Sequence, residues 1–314
     1  MSEERDFFHR SDEMMACYRR GDYAAALAVT ERLAAEFPDQ VQRTTFWRVC
    51  LLARLERIAA ALQALREALQ AGLWWSEATM RRDPDLEPLQ GLPEFERLVG
   101  LSLARAAAAQ AGVQPLALVR PPAAGTPEPS PLLIALHGQG GTAGADLDRW
   151  QAACPLGWRV AALQSSQLAW PGAYAWDDKD KACQEVAGQF ERLCAQFPVD
   201  RGRVVVGGFS QGAALAIRLV LTGSLPARGF LSVVPGAIEL QLLNGWASAK
   251  RAAAVRGYLV AGGLDTRYEF FKQVRTTLTE HDIPCEMEDH PDLAHAFPEH
   301  FEKSLTRALS FLSA

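Results

Sequence analysis

A serine stands between glycines in the stretch Gly208-Phe209-Ser210-Gln211-Gly212. The β-branched run "RVVV" precedes it, and an Ala/Leu/Ile segment follows. This is G-x-S-x-G set between a strand and a helix, a turn that exposes a hydroxyl on strained backbone. The glycines allow strand and helix to come close, and the helix N-terminus aims N–H groups at any oxyanion formed there. The chemistry such a turn serves is nucleophilic acyl transfer, provided a base is at hand.

Six histidines could supply that base. His9 falls in a helical region, His281 at a helix end and His137 at the end of a strand. The other three lie in "EDHPDLAHAFPEHF". His295 is expected in a loop between the last strand and the last helix, where an imidazole can reach across the strand ends. His290 is expected on the strand itself, and His300 on a solvent-facing helix. The acid of such a set follows the serine and precedes the histidine. Asp265, in "GYLVAGGLDTRYEF", follows a strand and suits the task of holding the imidazole tautomer, although it could also cap the next helix. Asp289 and Asp292 are alternatives too near His295 for the usual layout.

An oxyanion hole needs two backbone donors. Gln211 is one, as the residue after the serine. The loop "LHGQGGTAGAD" offers the other, with Gln139 first and Gly140 next. His137 is expected to hydrogen-bond beneath that loop. Trp170, Tyr174 and Trp176 concentrate aromatic surface in residues 165–178. Trp170 and Trp176 are the candidates for a substrate-binding wall; the other reading is packing. Asp177 and Asp178 suit a helix cap and solvated charge.

Elements that could position these groups begin near residue 113. Short β-rich runs at 115–120, 131–138, 158–165, 203–210, 228–236, 255–263 and 284–290 alternate with helical segments near 181–197, 211–222, 267–281 and 298–313. The pattern predicts an α/β domain over 113–314, with a doubly wound, mostly parallel sheet. The turn-rich "PPAAGTPEPS" between the first two runs suggests a hairpin.

Residues 1–112 read instead as a small all-α domain. Gly21 aligns with Glu56 and Ala26 with Ala61, and "GDYAAAL" resembles a tetratricopeptide signature. The spacing predicts about two degenerate helical repeats. Such a region could bind a protein partner or simply cap the other domain.

Four motifs together carry a resemblance: "LHGQGG", "GGFSQGAALA", "GGLD" and "AHAFPEHF", in that order. Residues 113–314 resemble an α/β-hydrolase of the phospholipase/carboxylesterase group, similar to acyl-protein thioesterases and small carboxylesterases. The resemblance implies Ser210 as nucleophile, His295 as base, Asp265 as orienting acid, Gln139 and Gln211 as oxyanion donors, and no cofactor. The expected reaction is ester or thioester hydrolysis through an acyl-enzyme. A serine peptidase on the same fold, or a helical scaffold beside an inactive hydrolase domain, are the alternatives. Two positions depart from the group: Gly141 stands where an acidic residue is usual, and Ala294 where glycine is frequent.

The bulk properties agree. A net charge of −5 gives no concentrated basic surface for nucleic acid. The charged opening "MSEERDFFHR" holds no apolar core of signal-peptide length, and no apolar run suits a membrane span. The six cysteines are scattered without a CxxC pair, so reduced thiols in the cytoplasm and no metal are expected.

Overall fold

A computed structural model describes residues 2–249 and 255–314. They fall into two compact units, Met1–Gly112 with Leu168–Gly172, and Val113–Gln167 with Ala173–Ala314.

The first unit is helical: α1 (Ser2–Arg19), α2 (Tyr23–Glu36), α3 (Val41–Arg54), α4 (Ile58–Gln70), α5 (Glu77–Arg82) and α6 (Pro93–Gln110). Two of its helix stops share one backbone pattern. After α1, Gly21 N–H bonds Tyr18 O at 2.9 Å and Asp22 N–H bonds Cys17 O at 3.0 Å. After α3, at an offset of 35 residues, Glu56 N–H bonds Ala53 O and Arg57 N–H bonds Leu52 O, both at 2.9 Å. Each is a helix stop made by one left-handed residue, with φ 75° at Gly21 and 57° at Glu56. Ala26 and Ala61 are both fully buried one turn into the following helices.

Residues 168–172 join this helical unit, which the sequence did not signal. Ser76 N–H bonds Ala169 O at 2.7 Å, and Leu168 N–H bonds Gln110 Oε1 at 3.0 Å.

The second unit is built on a seven-stranded sheet. Its strands are β1 (Leu116–Arg120), β2 (Ser130–Leu136), β3 (Arg159–Gln164), β6 (Val199–Phe209), β7 (Gly229–Val233), β8 (Arg256–Gly262) and β9 (Cys285–His290), in the order β1-β3-β2-β6-β7-β8-β9. All neighbours are parallel except β1, which pairs antiparallel with β3. The expected hairpin between the first two strands is therefore corrected: β2 lies between β3 and β6. A loop with turn residues permits a hairpin but does not require one, and here β2 is buried along its whole length at the sheet's interior.

Alternate β2 side chains feed the two faces. Leu132, Ile134 and Leu136 join one apolar cluster, while Leu133 and Ala135 join the other. Helices α7 (Ala143–Trp150), α8 (Lys179–Gln196), α9 (Gln211–Leu221), α10 (Leu240–Ala247), α11 (Tyr268–Glu280) and α12 (Phe301–Ser313) complete the unit. Helices α7 and α10 were not expected from the pattern. Neither were the short strands β4 (Gln167–Trp170) and β5 (Ala173–Ala175). Among the described residues, no helix is long and apolar enough to cross a membrane.

Candidate active site

Ser210 sits where β6 ends and α9 begins, at φ 51° and ψ −115°. Its backbone is held on both sides: its N–H bonds Val233 O at 3.0 Å, and its carbonyl accepts Gly236 N–H at 2.8 Å. The flanking glycines have no alternative. A Cβ on Gly208 would fall 2.4 Å from the Gly212 backbone, and one on Gly212 would fall 2.2 Å from Leu136 O. A sharp turn pressed against β2 thus lifts one hydroxyl to the carboxyl end of the sheet.

His295 and Asp265 arrive from two other loops at that same end. His295 Nε2 lies 2.8 Å from Ser210 Oγ, and His295 Nδ1 lies 2.5 Å from Asp265 Oδ2. The two loops are tied together, with Leu264 N–H bonding Leu293 O at 2.9 Å. Asp265 is buried. Burial alone would push its carboxyl up, but the hydrogen bond and charge of His295, with the Arg267 N–H at 2.9 Å, hold it below the usual carboxylate range. It is therefore an ionised acceptor for the imidazole. The alternatives lie elsewhere: Asp289 takes the Tyr268 hydroxyl, and His290 bonds Glu288.

The loop after β2 is equally determined. His137 is fully buried, with Nδ1 2.8 Å from Gly138 O and Nε2 accepting from Ser165 N–H at 3.3 Å. Burial pushes its imidazole down to about 4, so it is neutral and structural. Gly140 N–H is taken by Tyr174 O at 2.7 Å. That leaves exposed Gln139 as the better second oxyanion candidate. Gln211 stands at the first position of α9, where a backbone N–H has no intrahelical acceptor. Its side chain accepts Trp176 N–H at 2.7 Å and donates to Asp177 Oδ1 at 2.9 Å, which fixes the turn.

One aromatic expectation is corrected. Trp176 is not a substrate wall: it is 1% exposed, stacks on His137 and donates Nε1–H to His137 O at 2.9 Å. Trp170 packs with the helical unit's apolar cluster, with the Arg43 guanidinium 5.2 Å from its ring centre. The aromatic rings beside His295 are Phe209, at 5.2 Å between ring centres, and Phe297, which stacks on Phe209 at 4.7 Å. Arg267 is also there, with Nη2 at 3.1 and 3.3 Å from the two imidazole nitrogens. Phe209 and Phe297 lie within the quoted motifs and could have been read from them; nothing in the sequence marks Arg267.

Among the described residues, metal-type donors gather at Cys50, Asp83 and Asp85 in the helical unit. Asp83 caps the Asp85 N–H and Asp85 accepts the Tyr18 hydroxyl, so both carboxylates are already engaged.

Comparison with known families now adds to this geometry. Residues 175–314 match the phospholipase/carboxylesterase family. That match spans 140 of the 314 residues and supports a carboxylesterase-type hydrolase. Residues 9–110 match the A/B hydrolase-like N-terminal domain. No match was found among curated proteins. A crystal structure of an uncharacterized protein from Bacillus cereus ATCC 10987 is 22% identical, covering 97% of this chain and 98% of that chain, with a TM-score of 0.55. Esterase PE8 is 18% identical over 64% of this chain and 99% of its own, with a TM-score of 0.52. A fluorophosphonate-binding serine hydrolase of Staphylococcus aureus is 13% identical over 64% and 98%, with a TM-score of 0.50. At these identities the likeness is one of fold.

The hydrolase's departure at Gly141 has a local reason. A Cβ there would meet the His137 Cβ at 2.9 Å and Gly138 O at 3.0 Å, so this loop has no room for an acidic side chain.

Proposed function

We propose that the protein hydrolyses carboxylic esters and thioesters through an acyl-enzyme on Ser210. Ser210 Oγ attacks the substrate carbonyl while His295 Nε2 takes its proton. The oxyanion is received by the N–H groups of Gln211 and Gln139. His295 then gives the proton to the departing alcohol or thiol. A water molecule, deprotonated by the same nitrogen, attacks the acyl-enzyme; the acid leaves and Ser210 recovers its proton. Asp265 holds Nδ1–H and stabilises the imidazolium.

The observation that carries this reading is the continuous chain Ser210 Oγ, His295, Asp265, with contacts of 2.8 and 2.5 Å. The Ser210–His295 contact falls within the reach that proton transfer requires. We place the reaction in the cytoplasm, in keeping with six cysteines that are all free thiols. The test is Ser210→Ala on short p-nitrophenyl esters. Turnover should fall by a factor on the order of 10⁴ or more. Undiminished turnover would reject the assignment.

A further inference from the structure

Arg267 is the one cation placed directly against the Ser210–His295 pair among the described residues, and the acyl-transfer scheme gives it no task. Its Nη2 is nearly equidistant from the two imidazole nitrogens, at 3.1 and 3.3 Å. Both in-plane positions of that ring are filled, Nδ1 by Asp265 and Nε2 by Ser210. The guanidinium therefore lies over the ring face, an arrangement cations adopt with π-systems. It is anchored from behind. Arg267 N–H bonds Asp265 Oδ1 at 2.9 Å, and Nε lies 3.5 Å from the same oxygen. Its Nε is buried without a hydrogen-bond partner, yet the side chain as a whole is 36% exposed.

Its only carboxylate contact among the described residues is thus Asp265, which His295 shares. Nearby acids are engaged elsewhere: Glu269 pairs with Lys272 at 2.6 Å, Asp289 takes the Tyr268 hydroxyl and Glu288 binds His290. Arg149 lies 4.9 Å from the Phe297 ring centre. The outer edge of Arg267 is left with donors to offer, and a planar guanidinium fits a carboxylate with two parallel bonds.

The position also says which half of the substrate it meets. His295 Nε2 must hand its proton to the leaving oxygen or sulfur. Arg267 Nη2 is 3.3 Å from that nitrogen, so the leaving group's substituent is the part of the substrate nearest the guanidinium. We propose that Arg267 selects esters or thioesters whose alcohol or thiol half carries a carboxylate. This rests on the triad reading above and deepens it.

The test compares 4-acetoxybenzoate with methyl 4-acetoxybenzoate, which differ by one charge on the leaving group. The wild-type enzyme should favour the anion in kcat/KM, and added salt should erode that preference. Arg267→Met should lower the anion-to-neutral ratio by about tenfold, chiefly through KM, and abolish its salt dependence. Arg267→Lys should restore part of the ratio. An unchanged ratio in Arg267→Met, or no wild-type preference, overturns the proposal. So does a loss shared equally by both substrates, which would mark a structural role. Ser210→Ala is run beside them. If it stays active, the triad reading fails; if it is inactive while the ratio ignores Arg267, only this proposal fails.

Discussion

The two units handle strain and buried polarity differently. Among the described residues, the helical unit has one non-glycine residue with positive φ, Glu56, and it ends a helix. The hydrolase unit repeats that use at Asp282, after α11, but also places Ser210 at φ 51° and Val234 at 37° beside the reacting groups. The buried side-chain atoms without a partner follow the same division. Ser130 Oγ, Asp146 Oδ2, Trp150 Nε1, Arg159 Nε, Ser232 Oγ and Arg267 Nε all lie in the hydrolase unit. Among the described residues the helical unit has none; there Ser102 bonds both backbone groups of Trp75, and Tyr18 bonds Asp85. The region that holds Ser210 in a sharp turn tolerates local violations, supported by the sheet around it.

The largest expected effect breaks the hydrolase side of that contrast. His295→Ala should lower kcat by about 10⁴-fold, and the double variant with Ser210→Ala should fall scarcely further, since such groups act as a unit. Multiplicative losses in steady-state kinetics would contradict the shared role.

Asp146 offers a second break. Burial pushes its carboxyl up to about 7, against the pull of Arg149 at 3.9 Å. The folded-state value lies above the unfolded one, so the fold binds the extra proton and loses stability as pH rises from about 4 to 7. Asp146→Asn should therefore raise stability by a few kcal/mol near pH 8, and by roughly nothing below pH 4. Urea unfolding at both pH values checks this; an equal effect at both would exclude titration as the cause.

Gly212→Ala should cost about 3 kcal/mol, because its Cβ would overlap the Leu136 carbonyl. Ester turnover should fall with it, as the turn holding Ser210 shifts. A variant of wild-type stability would show that the turn is less tightly pressed on β2 than its geometry states. The smallest effect sharpens the helical side. Glu56→Gly relieves an exposed left-handed residue and should add about 1 kcal/mol, with ester kinetics unchanged.

What the sequence disclosed follows from the same physics. Parallel strands buried on both faces must be continuous apolar runs, so the inner strands β2, β3, β7 and β8 could be placed from composition. Ser210, Asp265 and His295 were legible because each closes or follows a strand at the carboxyl end of the sheet. Strand order was not legible, since β1 reaches β3 across an intervening strand and only the assembled sheet decides that. Trp176 was misread because whether an aromatic ring lines a surface or fills one depends on partners distant in sequence, here His137. Arg267 carried no signal, because its place beside His295 arises from two loops meeting at the sheet end.

The central claim is that Ser210 is a nucleophile activated by His295. Intact-mass analysis after treatment with a fluorophosphonate probe, with peptide mapping of the adduct, tests it most directly. The account predicts one adduct, on Ser210, absent from Ser210→Ala and strongly slowed in His295→Ala. An adduct on another residue, or none on a folded protein, would contradict it.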